Sequence, residues 1–255
     1  MGKAKGKSLC IFSAKGGVGK STTALNIAGV FSNLGKNVLI IDFDTSGGAI
    51  ATYLNKQFEK TIYNFVDDYT NNRYQSIKNY VTKYNDNISF LASCKDPRQG
   101  NKISVSYIEL VLEKAIYEYD VVLVDTNHVL SEFNVTILDK CDETLLVMTN
   151  DLLDLKNMRN LIHIFNDADK KNYQIMLNSY INPNKKYYSL YDIKSIIKSN
   201  IDYVIESSFY LKSMDNYVVD GKILTLDKRM AKVYPKVYKA YLALCNKLSE
   251  EQDEK

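Results

Sequence analysis

The residues best suited to chemistry begin with the glycine-rich stretch SAKGGVGKSTT, from Ser13 to Thr23. It follows an apolar run that predicts a strand and precedes a segment that predicts a helix, the context in which glycines form a phosphate-binding loop. The backbone N–H groups of such a loop point at an anion, and the next helix adds its positive N-terminus. We expect the following residues to contact a nucleotide: Gly16, Gly17, Val18, Gly19, Lys20, Ser21 and Thr22.

Two lysines lie in this loop, although phosphate binding requires one. Lys20 is placed to neutralise the β- and γ-phosphates, and the Ser21 hydroxyl is placed to bind magnesium. The predicted ligands are therefore ATP and Mg²⁺. Lys15, directly before the glycine pair, is the surplus lysine.

Carboxylates follow two further apolar runs. Asp125 lies near the end of DVVLVDT, and Asp42 and Asp44 lie at the end of IIDFD. Ligands gather at the carboxyl ends of the strands in an open α/β sheet. We therefore expect Asp125 to join Ser21 at the metal, and Asp42 and Asp44 to address the metal and the attacking water, although a strand-terminal Asp taken alone often only caps a turn.

Strands and helices that position these residues alternate along the chain. Continuous apolar runs suit strands covered on both faces, so the expected fold class is α/β with a mostly parallel sheet. The predicted strands are 8–14, 37–44, 88–93, 120–126, 143–149, 173–179 and 202–207. The predicted helices are 21–34, 104–119, 131–141, 152–167, 189–200 and 235–248, the last beginning at Pro235. The stretch 55–86 has the weakest pattern.

Composition bounds the function without naming it. The 255 residues fit a single domain over 1–255, and a net charge of +3 is far below that of a dedicated nucleic-acid binder. The cysteines at 10, 94, 141 and 245 are too dispersed for a zinc or iron–sulfur ligand pair. No run is long enough to span a membrane, and we expect a cytoplasmic protein.

The motifs KGGVGKST, IIDFD and VVLVD together resemble the deviant Walker family of P-loop ATPases, which includes the ParA and MinD positioning proteins. The resemblance implies a three-layer P-loop NTPase fold with helices on both faces of the sheet, and a homodimer that sandwiches its nucleotides. It implies that Lys15 reaches the partner's phosphates, so that Lys15, Lys20 and Asp44 form the catalytic set. It also implies that Asn178 binds the adenine base, although an Asn at this position alone predicts a turn.

The chain departs from the usual family pattern at three places, with TSGGA after Asp44, TNHVL after Asp125, and ESSFY at 206–210. The segment DLLDLKNMRN is similar to the CpaE/TadZ branch, which localises pilus-assembly machinery. His128 follows Asp125 closely enough to suggest a base, but a loop histidine with no identified partner is more often structural.

The leading functional hypothesis is an ATP-driven positioning switch for plasmid or chromosome partition, with a ParB-like activator. Its non-specific DNA surface would include Lys228, Arg229, Lys232, Lys236 and Lys239, although these also suit an ordinary solvated face. The alternative is a CpaE/TadZ-like ATPase, or a nucleotide-binding scaffold, that localises a pilus or secretion complex. The expected location is nucleoid-associated or polar, and the acidic C-terminal tail disfavours a membrane-targeting helix.

Overall fold

A computed structural model describes residues 5–179, 188–206 and 218–253. The described strands form one eight-stranded sheet in the order β3-β4-β2-β5-β1-β6-β7-β8, in which only the β3–β4 pair is antiparallel. The strands are β1 (Lys7–Phe12), β2 (Val38–Asp42), β3 (Thr82–Lys83), β4 (Ile88–Leu91), β5 (Val121–Asp125), β6 (Glu143–Met148), β7 (Tyr173–Asn178) and β8 (Tyr203–Ile205).

Helices connect the parallel strands. They are α1 (Lys20–Asn33), α2 (Ile50–Tyr53), α3 (Ile62–Thr70), α4 (Pro97–Gly100), α5 (Ser106–Glu118), α6 (Glu132–Lys140), α7 (Leu152–Asp167), α8 (Leu190–Ile197), α9 (Met230–Val233) and α10 (Pro235–Asp253). Several begin at a side-chain cap, as α7 does at Asp151 and α8 at the Ser189 capping box. Within the described ranges, no helix combines the length and apolarity needed to cross a membrane.

Two apolar cores cover the two faces of the sheet. Successive residues of a strand point to opposite faces, so Leu9 and Ile11 of β1 pack into one core while Cys10 and Phe12 pack into the other. The first core is closed by α1 and α10, and the second by α3, α5, α6, α7 and α8. This arrangement is the expected α/β fold with helices on both faces.

The register of the central strands brings the predicted site together. Asp42 of β2 pairs with Asp125 of β5, and Ile11 of β1 also pairs with Asp125. The phosphate-loop stretch follows β1 at the same edge. The carboxyl ends of β2, β5 and β1 therefore meet beside the start of α1.

The predicted strands and the six longer predicted helices are confirmed, with shifted ends. Helix α8 ends at Ile197 rather than 200 because Lys198 adopts a left-handed conformation, with φ 55°. Helix α10 begins at Pro235 as predicted but continues to Asp253. The weakly patterned stretch 55–86 contains α3 and β3, neither of which the sequence identified. Strand β3 has two residues and pairs only at an edge, so it leaves little pattern in the sequence.

Helix α1 requires a glycine where another segment crosses it. A Cβ on Gly29 would lie 2.1 Å from Thr225 Oγ1, and this hydroxyl donates to the carbonyl of Asn26 at 2.7 Å. Gly29→Ala should therefore destabilise the protein by about 1–3 kcal/mol through overpacking, despite the better helix propensity of Ala. Urea unfolding measures this. Ser32→Ala on the same helix should change the free energy of unfolding by no more than about 0.5 kcal/mol, and equal effects would contradict the crossing explanation.

Candidate nucleotide site

The stretch between β1 and α1 is shaped for an anion. Gly17 and Gly19 have φ of 74° and 96°, values that side chains other than glycine rarely adopt. A Cβ on Gly17 would have no neighbour within 4 Å, so the backbone there faces open space. Gly19 directly precedes α1, which directs the N-terminus of that helix toward the same space.

Lys20 is a buried ammonium beneath this loop. Its Nζ donates to Ser13 Oγ at 2.9 Å, and Ser13 Oγ donates to the carbonyl of Lys15 at 2.7 Å. Burial lowers the pKa of Lys20, while the nearby carboxylates Asp125 and Asp44 act to raise it. The side chain is thus fixed at the cavity that the loop encloses.

Ser21 and Asp125 form the donor set expected for magnesium. Ser21 Oγ donates to Asp125 Oδ2 at 2.6 Å, and Asp125 Oδ1 is buried with no hydrogen-bond partner among the described residues. Burial raises the pKa of Asp125 to about 6, against the lowering effects of Ser21 and Lys20. An unpaired buried carboxylate oxygen beside a hydroxyl fits a cation. In the part of the chain that the structure describes, no three His, Cys, Asp or Glu side chains group as a metal site, so phosphate oxygens and water would complete the shell.

Asp42 and Asp44 lie in different surroundings. Asp44 lines the cavity, and its Oδ1 accepts from the backbone N–H groups of Ser46 at 3.3 Å and Gly47 at 3.1 Å. Asp42 lies behind it and accepts from the N–H groups of Asp44 at 3.2 Å and Ile50 at 3.1 Å. Burial and the charge of Asp125 raise the pKa of Asp42. Asp42 therefore holds the turn that presents Asp44, while its predicted role as a metal ligand stays a prediction.

The surplus lysine of the loop has a partner within its own chain. Lys15 Nζ lies 3.1 Å from Asp151 Oδ1, in an ion pair with both side chains 37% exposed. The ion pair lowers the pKa of Asp151. Asp151 caps the first turn of α7, so the position of Lys15 is coupled to that helix.

Asn178 ends β7 on the other side of the loop. Its side chain is buried, and Nδ2 donates to the carbonyl of Val18 at 2.8 Å. The bond joins the end of β7 to the phosphate loop. The segment ESSFY at 206–210 is one of the departures from the family pattern. Its residues from 207 onward lie outside the described residues.

Most of these groups line one cavity of about 660 Å³, large enough for a nucleotide, whereas Asp42 and Asp125 lie outside its lining. Its lining residues are Lys15, Gly16, Gly17, Val18, Gly19, Lys20, Ser21, Thr22, Asp44, Tyr53, Thr126, Asn127, His128, Thr149, Asn150, Asp151 and Asn178. The sequence did not single out Tyr53 or the Thr149–Asp151 turn. The latter follows strand β6 at the same sheet edge, and this position is the signal that could have identified it.

In the nucleotide-free protein, ionised Asp125 should lower the free energy of unfolding near neutral pH. Its folded pKa of about 6 exceeds the unfolded value of 3.8, so the ionised folded form is disfavoured by up to about 3 kcal/mol above pH 6. This cost disappears as the pH falls through 6 toward 4. Without nucleotide and magnesium, Asp125→Asn should therefore unfold at a higher temperature than wild type at pH 7.5, and the difference should shrink by pH 5. A difference that is constant across this range would contradict the prediction.

Comparisons with known proteins agree with this geometry. The profile of a family described as "AAA domain" matches residues 6–181. The septum site-determining protein MinD of Helicobacter pylori is 29% identical over 155 residues, which are 60% of this chain and 57% of that protein. The matched region thus spans little more than half the length of this relative.

Two solved structures share the fold over nearly the whole chain. A ParA family ATPase from Chlorobium tepidum has a TM-score of 0.79 at 19% identity, covering 94% of this chain and 98% of the other. MinD of Pyrococcus horikoshii, solved with Mg-ADP, has a TM-score of 0.75 at 17% identity, covering 95% of each chain. Since the family profile matches most of its length, the chain belongs to the AAA-domain family. Its similarity to MinD and ParA proteins agrees with the predicted ParA/MinD type.

Proposed function

We propose that this protein binds ATP with magnesium and hydrolyses it to ADP and phosphate. The observation that carries the proposal is the Ser21–Asp125 contact of 2.6 Å, which leaves a buried carboxylate oxygen unpaired beside the phosphate loop. Ser21 and Asp125 would hold magnesium there, and its charge would offset the negative charge that develops during phosphoryl transfer.

Each of the remaining residues has a definite task in this proposal. The N–H groups of the glycine loop and Lys20 hold the β- and γ-phosphates, which fixes the terminal phosphate for in-line attack. Asp44 lines the cavity and accepts a hydrogen bond from water, which orients that water toward the phosphate. Asn178 lines the cavity on the β7 side, where it would contact the adenine base.

The proposed switch is a homodimer that closes on two nucleotides. Large apolar side chains flank the cavity residues in sequence and are exposed, at Val129, Leu130, Leu152 and Leu153. A second copy of the chain would bury this apolar surface. Lys15 lies in the same region, so closing the dimer would bring it to the partner's nucleotide. Nucleotide controls dimerisation only if the dimer binds ATP better than the monomer does.

The surface recognised by the dimer is proposed to be non-specific DNA, as in partition. Five basic residues are exposed immediately before α9 and along α9 and α10: Lys228, Arg229, Lys232, Lys236 and Lys239. Among the described residues, two of them form ion pairs, Arg229 with Asp227 at 2.7 Å and Lys236 with Glu206 at 2.9 Å. These pairs reduce the charge offered to phosphates and favour the second candidate, a CpaE/TadZ-like scaffold that recognises a protein complex.

ATP turnover by wild type and Asp44→Ala tests the enzymatic part of the proposal. We expect slow magnesium-dependent turnover by wild type and at least a tenfold loss in the variant, since Asp44 is the carboxylate placed to orient the attacking water. Equal turnover rates at background level would contradict the proposed ATPase activity and would favour a nucleotide-binding scaffold.

Sedimentation with ATP and magnesium, with and without duplex DNA, distinguishes the DNA surface from the protein complex as the target that the dimer recognises. DNA association that weakens steeply with salt supports partition, and dimerisation without DNA association at low salt supports the scaffold. Lys232→Glu should weaken DNA association severalfold. The control Lys140→Glu lies on α6, against the opposite face of the sheet, and should leave DNA association unchanged.

A further inference from the structure

His128 lines the nucleotide cavity but has no part in the proposed reaction. Its ring lies against the phosphate loop. A Cβ built on Gly16 would lie 3.3 Å from His128 Nδ1 and 3.4 Å from Cε1. Glycine at position 16 therefore leaves room for the imidazole over the loop backbone.

The loop that carries His128 is fixed on both sides of the residue. Asn134 of α6 is buried, and its Nδ2 donates to Asn127 Oδ1 and to the carbonyl of Val129, each at 2.7 Å. The N–H of Val129 also donates to Asn127 Oδ1 at 2.9 Å. One buried side chain thus holds the residues before and after His128, which presents the ring to Gly16 in a defined place.

The strand order shows which end of a bound nucleotide His128 would meet. Asn178 ends β7 and contacts Val18, while Asp44 follows β2 and Asp125 ends β5 on the other side of β1. The proposed base contact and the proposed metal site therefore lie on opposite sides of the phosphate loop. His128 follows β5, on the metal side, where the terminal phosphate would lie.

We propose that His128 donates a hydrogen bond to the terminal phosphate of ATP and so distinguishes ATP from ADP. The inference rests on the proposed ATP binding. A neutral imidazole carries an N–H in either tautomer, so the contact requires no added proton. Hydrogen bonds to charged groups are stronger than neutral ones, and the loss of one corresponds to at least about a tenfold loss of affinity.

The first test compares the affinities of His128→Ala for Mg-ADP and for a magnesium complex of the non-hydrolysable analogue AMPPNP. Calorimetry at concentrations where sedimentation shows a monomer should give about tenfold weaker AMPPNP binding and less than a twofold change for ADP. His128→Gln keeps an N–H donor and should recover part of the difference. Equal loss for both nucleotides would overturn the inference, because it would indicate a supporting role for the loop alone.

The second test uses the fact that the chain contains two histidines, His128 and His163. Histidine-labelled protein should give two ring signals by NMR, and His163→Gln assigns them. His163 lies on α7 with a 75% exposed side chain and serves as the matched control. The His128 signal should shift with Mg-AMPPNP and remain near its apo position with Mg-ADP.

The outcomes separate this inference from the proposed function. If both nucleotides bind and the His128 signal is the same with each, the ATP contact is overturned and nucleotide binding stands. If neither nucleotide binds, the proposed function fails and this inference fails with it. A shift of His163 equal to that of His128 would indicate a global change and would also contradict the inference.

Discussion

Lys20→Ala should weaken Mg-ATP and Mg-ADP binding on the order of 100-fold, because it removes the buried ammonium that faces the phosphates. Lys20 is 9% exposed and is held by Ser13 at 2.9 Å, so its charge is directed into the cavity rather than screened by water. An anion site on a small mobile loop could tolerate the loss of one lysine. A cavity that depends on one buried cation could not. Calorimetry with each nucleotide measures the effect directly.

Folding and binding can be separated in this variant. Lys20 loses solvation on folding, as the lowered pKa shows, so its removal should not destabilise the nucleotide-free protein strongly. The unfolding temperature without ligand should stay near that of wild type, while the rise produced by Mg-ADP at about 100 times the wild-type dissociation constant should almost disappear. An unchanged ligand-induced rise would contradict the assignment of Lys20 to the phosphates.

The phosphate loop and the strand-terminal carboxylates could be predicted because they depend on local chemistry. Glycines at 17 and 19 are required by left-handed backbone, and Asp125 ends a continuous apolar strand. Parallel strands have a common carboxyl edge, so sequence positions 13–23, 44 and 125 had to approach one another. The position of the site follows from these elements alone.

Contacts that depend on side-chain direction could not be predicted. Asp42 and Asp44 are two residues apart, yet Asp44 enters the cavity while Asp42 turns back to the N–H of Ile50 at 3.1 Å. The difference arises because β2 ends at Asp42 and the alternation of a strand does not continue to Asp44. The contact of Lys15 with Asp151 joins residues 136 apart, and no periodicity in the sequence indicates it.

Buried polar groups that lack a hydrogen-bond partner could not be predicted from the sequence either. Asp154 of α7 is fully buried, and its Oδ2 accepts from the N–H and Oγ of Thr149 at 2.6 Å and 2.8 Å. Its Oδ1 has no hydrogen-bond partner among the described residues, and burial raises its pKa. A helical pattern places a polar residue outward by default, so only the packed structure reveals that this carboxylate supports the turn beside the cavity.

Lys15→Ala should retain nucleotide binding and lose ATP-dependent dimerisation, in contrast to Lys20→Ala. Within one chain Lys15 pairs with Asp151 at 3.1 Å, whereas Lys20 faces the phosphate cavity, so the two lysines of the loop have separate surroundings. The variant should bind Mg-ADP within about threefold of wild type, because the Lys15 charge at the cavity is already paired with that of Asp151. Sedimentation with ATP and magnesium should show a monomer, and turnover should fall to background. Normal dimerisation and hydrolysis would make the two-lysine interpretation wrong.

In the proposed dimer, the Lys15–Asp151 ion pair of each monomer would oppose closure. If Lys15 must leave Asp151 to reach the partner's phosphates, Asp151→Ala should lower the dimer dissociation constant. The pair is 37% exposed on each side, so each is worth at most about 1 kcal/mol, and two pairs per dimer limit the gain to roughly 30-fold. Asp169→Ala, which removes an exposed ion pair with Lys171 just beyond the C-terminal end of α7, is the matched control. It should leave the dimer dissociation constant unchanged. Weaker dimerisation of Asp151→Ala would instead show that Asp151 assists the closed state, and the pair would then not restrain the monomer.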